Sequence, residues 1–264
     1  MNVFILADLE GVSLADNISM MRPEPKDNHP GYDFACERLA VDLNTAVDAA
    51  FEGGADTVTV IDGHFRGENL DPNKLDKRAV KLNIEEFRPM GWGRFDALVL
   101  LGAHAMAGTE NAFLDHTQNS ITWYEYKVNG KCYGEIGQDA IMAGAFGVPL
   151  VAVTGDEAAC EEAKTLVPNV YCAAVKKAKG RNNAECLDHD TAQKLIFNAV
   201  KSGVENAKNF APYKETFPAK ISVTYTRNDY ADAAMENCPN CTRHGRTVEK
   251  TEEKLECFPQ LHLW

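Results

Sequence analysis

Short apolar runs alternate along the chain with longer stretches in which apolar residues recur at helical spacing. That alternation predicts strands joined by helices. Residues 3–8 are apolar almost throughout and predict a first strand. Phe34, Leu39, Leu43, Val47 and Phe51 predict a helix over 33–53, stopped by Gly53-Gly54. Further strands are expected at 56–62, 96–102, 149–154, 169–175 and 220–226. Further helices are expected at 136–146, after Gly155-Asp156, at 188–208, and as a charged segment near 248–257. Between them, 121–134 predicts a hairpin, because Asn129-Gly130 suits a type I′ turn.

The expected fold is therefore α/β, with a mostly parallel central sheet flanked by helices and a smaller C-terminal α+β subdomain. Residues 209–219 (NFAPYKETFPA) form the expected junction between a catalytic region, 1–210, and that subdomain, 211–264. Residues 12–31 carry Pro23, Pro25 and Pro30 and have the length of a functional rim or lid, while Met20-Met21 within them suit packing or a pocket wall.

Composition narrows the partners. A formal charge of −12 over 264 residues argues against nucleic acid and against an anionic membrane surface. No apolar run reaches the roughly 18 residues of a membrane span. The first residues lack the basic start of a signal peptide and read as a strand. Eight cysteines are too sparse for a disulfide scaffold and suit a reducing cytoplasm.

Candidate chemistry gathers where the predicted strands end. The first runs into Asp8-Leu9-Glu10-Gly11, the second into Asp62-Gly63-His64, and the third into Gly102-Ala103-His104, with Glu135 between the hairpin and its helix. Ligands of open α/β sheets bind beyond the carboxyl ends of the strands. Asp8 and Glu10 are two apart and share one side of an extended chain, where unpaired carboxylates repel unless a cation lies between them. Singly, each imidazole suits an ordinary turn. Together, three carboxylates and two imidazoles exceed one tetrahedral zinc and suit two divalent metals with a shared carboxylate, zinc first, manganese or cobalt next. Two such metals activate water for hydrolysis. Asp62 is a candidate acceptor for the second N–H of His64.

The set D-x-E-G at 8–11, D-G-H at 62–64, L-G-x-H-A at 101–105, His116, and G-E-x-G at 134–137 resembles the DppA-type D-aminopeptidase family, which are dinuclear zinc metallopeptidases. The resemblance continues through 149–156 and 168–176 and fades after about 220. It implies that Asp8 bridges two metals, that Glu10 and His64 complete one site, and that His104 and Glu135 complete the other. It implies His116 as catalytic residue, a short peptide with a free N-terminus as substrate, and a ring-type homo-oligomer, a decamer. Read without the resemblance, His116 is a loop histidine that could serve as acid, base or oxyanion donor. Another two-metal hydrolase, amidase or phosphoesterase, and a non-catalytic metal-dependent binding protein stay open as alternatives. Arg66 near His64 keeps phosphoester chemistry in view.

Cys238-Pro239-Asn240-Cys241 with His244 lacks the second ligand pair of a zinc knuckle, unless Cys257 and His262 fold back to supply it. The other cysteines suit packed thiols, and His29 and His189 suit turns or caps.

Overall fold

The computed structural model describes residues 1–23 and 30–256. Seven strands build the main sheet: β1 (Asn2–Ala7), β2 (Thr57–Asp62), β3 (Ala79–Leu82), β4 (Ala97–Ala103), β7 (Leu150–Asp156), β8 (Tyr171–Gly180) and β9 (Asn183–Cys186). Their order is β3-β2-β1-β4-β7-β8-β9, parallel except for the β8–β9 hairpin. The strand order reverses between β1 and β4, the switch point at which such sheets open a crevice.

A second, antiparallel sheet has the order β11-β12-β10-β5-β6. It takes β5 (Trp123–Val128) and β6 (Lys131–Cys132) from the middle of the chain and β10 (Ala219–Tyr225), β11 (Thr242–His244) and β12 (Thr247–Glu252) from its end. Strands from both sides of residues 209–219 thus meet in it. The hairpin turn is as expected, with Asn129 at φ 51° and Gly130 at φ 81°.

Helices α1 (Pro30–Glu52) and α5 (His189–Glu205) pack on one another, as do α3 (Glu135–Ala145) and α4 (Glu157–Leu166). α2 (Ile84–Met90) follows β3, and α6 (Asn228–Asn237) packs on the second sheet. Strand β4 is buried along its whole length, as a parallel strand covered on both faces must be. Phe4 on β1 anchors an aromatic cluster with Phe87, Trp92 and Phe95, ring centroids 4.9–5.1 Å away. No helix among the described residues is long and apolar enough to cross a membrane.

The pattern reading needs one correction: 247–252 is a strand, not part of a charged helix. Thr247, Val248 and Thr251 are β-branched, the Gly245 turn (φ 61°) returns the chain, and Val248 pairs with Val223 in the sheet interior. Sheet pairing outweighs the weak helix propensity of the charged residues. β3, α2, β9, α6 and β11 are too short or too polar to announce themselves. Cys238 and Cys241 form a disulfide, and His244 is exposed 3.7 Å from Glu249. His29, Cys257 and His262 lie outside the described residues.

The carboxyl ends of β1 and β4 touch through backbone. The Asp8 and Gly11 amides donate to the carbonyls of Leu101 and Gly102, at 2.8 and 2.7 Å. A Cβ on Gly102 would fall on the carbonyl oxygen of Asp8, and one on Gly11 would fall on that of Ala103. Gly102 also has φ +70°, a left-handed conformation that side chains disfavour.

Gly102→Ala is expected to cost about 2–4 kcal/mol, from strain and backbone displacement together. Gly93→Ala, with open space around it, should stay within about 0.5 kcal/mol. Urea unfolding of the two variants checks this, and equal costs would contradict the close approach.

Candidate metal centre

Each element end delivers its side chain to the switch point. Asp8 and Glu10 come from the turn after β1, His64 from the turn after β2, His104 from the turn after β4, and Glu135 from the first turn of α3. Asp8 lies between two imidazoles, with Oδ1 3.0 Å from His64 Nδ1 and Oδ2 3.4 Å from His104 Nε2. Glu10 Oε2 is 2.9 Å from His64 Nδ1, and Glu135 Oε1 is 3.3 Å from His104 Nε2. All five residues singled out from the sequence converge.

His116 joins them. Its ring stacks on that of His104 with centroids 3.8 Å apart and planes 9° from parallel. Its Nε2 lies 4.0 Å from Glu10 Oε1 and 3.9 Å from Glu135 Oε1. Donor atoms therefore fall into two groups, Asp8/Glu10/His64 and His104/His116/Glu135, each within a 4.8 Å span.

The imidazoles share one design. His64 Nε2 is 2.9 Å from the Met21 carbonyl, His104 Nδ1 is 3.1 Å from that of Ala105, and His116 Nδ1 is 2.7 Å from that of Leu114. A carbonyl only accepts, so those nitrogens carry protons, and the opposite nitrogen of each ring faces the carboxylates. Among the described residues, Glu10 Oε2 and His104 Nε2 are buried without a hydrogen-bond partner. A carboxylate oxygen and a deprotonated imidazole nitrogen are both lone-pair donors, and buried donors left without a hydrogen bond, one in each group, fit divalent cations.

The electrostatics agree. Burial and the neighbouring Glu10 push the Asp8 carboxyl up to about 7. Burial also opposes ionisation of Glu10 and Glu135, yet the imidazoles beside them prevail. His64 holds Glu10 well below the usual range, and His104 holds Glu135 at about 2. His64 and His104 are raised despite burial, each by its carboxylates, while burial and the His104 charge lower His116.

The segment carrying His116 is pinned at several points. Phe113 N donates to Asp156 Oδ2 (2.9 Å), Leu114 N to the Arg181 carbonyl (2.8 Å), His116 N to the Ala105 carbonyl (3.2 Å), and Gln118 N to Glu135 Oε1 (2.7 Å). Leu114 and Gln118 sit at φ 57° and 59°, local strain of the kind that clusters at functional sites. Asp62 does not reach the His64 ring. It accepts from the backbone N–H of His64, Asn69 and Leu70 and so fixes the turn that carries the ring, while Met21 supplies the acceptor proposed for it. Met21 is otherwise buried in the core, and Arg66 lies over the Phe65 ring.

Two cavities meet at this centre. One of about 480 Å³ is lined by Asp8, His104 and Glu135, and one of about 880 Å³ by His116 and Thr117.

Comparison with known proteins is consistent along the whole chain. The model of a family described as D-aminopeptidase matches residues 1–260. A D-aminopeptidase of Bacillus subtilis (strain 168) is 26% identical over 238 residues, which span 89% of this chain and 85% of that protein. The solved structure of the Zn-dependent D-aminopeptidase DppA from Bacillus subtilis, described as a self-compartmentalizing protease, superposes with a TM-score of 0.88 at 24% identity. It covers 96% of this chain and 92% of its own.

A cation entering this centre competes with the protons held by His64 and His104, both raised above the ordinary imidazole value. Zinc added to chelator-treated protein near pH 7 should release protons, and its affinity should fall by roughly tenfold per pH unit for each proton displaced as the solution is acidified. Calorimetry in buffers of different ionisation enthalpy measures both. Proton-neutral, pH-independent binding would contradict the assignment.

Proposed function

The chain belongs to the D-aminopeptidase family, and from that premise we propose a dinuclear metallo-aminopeptidase that removes the N-terminal residue, of D configuration, from short peptides. Asp8, Glu10 and His64 would hold one divalent cation, and His104 and Glu135 the other, with Asp8 shared. The observation that carries the reading is the convergence of three carboxylates and three imidazoles into two donor groups, with Glu10 Oε2 and His104 Nε2 buried and without a hydrogen bond. Mixed nitrogen and oxygen donors favour zinc. When bound, such ions would supply Lewis acidity, making water a stronger acid and the scissile carbonyl a better electrophile.

The chain's own residues supply the rest. Leu114 fixes the proton of His116 on Nδ1, so Nε2 faces the centre as a base. Its lowered pKa keeps the ring neutral near pH 7. Nε2 can take a proton from the attacking water and return it to the departing amine. Stacking on His104 and the pinned backbone on either side hold the ring for that transfer.

A homo-oligomer extends to this chain the description of the solved relative as a self-compartmentalizing protease, and the family resemblance carries that to a ring-like decamer with its centres on an inner chamber. Exposed Ile121 and Tyr124 beside the larger cavity support a covered surface there. Among the described residues, five free cysteines against one short-range disulfide support a reducing compartment, the cytoplasm.

Glu10→Gln and His104→Ala are expected to lower bound zinc from two ions per chain. His116→Ala should keep the metal and lose about 10²–10⁴-fold in kcat. Elemental analysis, with turnover on matched D- and L-dipeptide amides, tests this. Unchanged metal in both ligand variants would overturn the site, and faster L turnover would overturn the stereochemical assignment.

A further inference from the structure

The two cavities are unequal in a way that assigns the ends of the substrate. Proton return to the leaving amine requires the departing peptide to lie on the His116 side. His116 lines the larger cavity and not the smaller. The residue being released must then occupy the cavity of about 480 Å³, a volume within the range of about 300–1,000 Å³ typical of small-molecule pockets.

That cavity has a polar end and an apolar end. Leu6, Ile61, Leu100, Leu101 and Ile136 wall it, four of them almost fully buried. Beside the metal donors stands Asp139, four residues after Glu135 and so on the same face of α3. Asp139 makes no hydrogen bond or ion pair with any described residue, and burial, followed by the charges of Glu135 and Asp8, raises its carboxyl group well above the ordinary range. Arg66 and Arg88 line the same cavity, but the first lies over Phe65 and the second pairs with Glu85 at 3.2 Å. A carboxylate without a partner, one helical turn from the metal donors, suits a cation that arrives with the ligand.

We propose that the smaller cavity seats the first residue of the substrate, with Asp139 accepting its α-ammonium and the apolar wall taking an aliphatic side chain. The assignment rests on the aminopeptidase reading and adds to it a substrate class, an apolar residue with a free amine. The scissile carbonyl is one carbon from that amine, so an anchored ammonium places the carbonyl at the neighbouring donors. Cations in the centre would offset the charges of Glu135 and Asp8, and an ammonium arriving beside Asp139 would offset the burial that favours the protonated acid, so the carboxylate forms as its partner binds.

The test uses Asp139→Asn, which keeps shape and removes charge. On a D-leucyl anilide the variant should lose at least about thirtyfold in kcat/KM, the scale of removing one partner from a desolvated ion pair, with zinc content unchanged. Binding of 3-methylbutylamine, a leucine-like tail on an ammonium, should weaken at least about tenfold by calorimetry. With the wild type, kcat/KM should rise about fourfold per added methylene from alanyl to leucyl substrates. Equal amine binding by wild type and variant, or a preference for the alanyl substrate, would overturn the proposal even with peptide turnover intact. Metal-loaded wild type that cleaves no free-amine peptide would instead remove the aminopeptidase reading. The amine measurement would still decide the role of Asp139.

Discussion

Everything at the centre depends on how closely two strand ends approach. β1 and β4 are neighbours in a parallel sheet, but their side chains converge only because the chain after each strand continues in backbone contact with the other. The Gly11 amide reaches the Gly102 carbonyl, and neither residue leaves room for a Cβ. This contact brings Asp8 and Glu10, from one strand, beside His104 from the other. Buried Lys176 reinforces it from below, donating to the Glu10 carbonyl at 2.8 Å and also to that of Ala15. The glycines of the motif thus serve geometry, while the acids and imidazoles serve chemistry.

The arrangement is costly for the protein alone. Three carboxylates, one buried and two half-buried, and three imidazoles within a few ångströms are stable only as a mixture of ion pairs and retained protons, which is what the opposed pKa shifts of Asp8 and Glu10 express. Secondary contacts hold each group in place. Three backbone carbonyls orient the three rings, and the Gln118 amide holds Glu135. Pre-set rings with their free nitrogens inward pay the ordering cost during folding, so a cation meets a formed site.

Much of this was legible in the sequence, and the reason is topological. Once β1, β2 and β4 are recognised from apolar runs, the rule that ligands gather at carboxyl ends brings Asp8, Glu10, His64 and His104 to one rim without any contact being known. What the pattern could not supply were partners distant in sequence. Asp156 and Arg181 pin the His116 segment from the far side of the sheet, and nothing local marks them. Met21, distant in sequence, and not Asp62 meets the His64 ring, because the Asp62 carboxylate is taken up by the backbone N–H groups of His64, Asn69 and Leu70. The 247–252 strand was hidden for the same reason: its pairing with β10 is long-range, while its charges are local.

Asp139 illustrates the remaining gap between pattern and site. In sequence it is a polar residue within a helix of small and apolar ones, with nothing to separate it from neighbouring Gln138. Gln138 is fully buried and accepts a hydrogen bond from Gln118, whereas Asp139 opens on a cavity. Helical spacing from Glu135 gives it the position of a metal donor's neighbour, and the absence of a partner leaves a desolvated acid that a cation would ionise. His116 on the other side of the donors has its own partners, one carbonyl and one stacked ring. The centre is therefore asymmetric before any substrate arrives, with an unpartnered carboxyl group on one side and an imidazole base on the other. A peptide with a free amine and a leaving amide satisfies both sides in only one orientation.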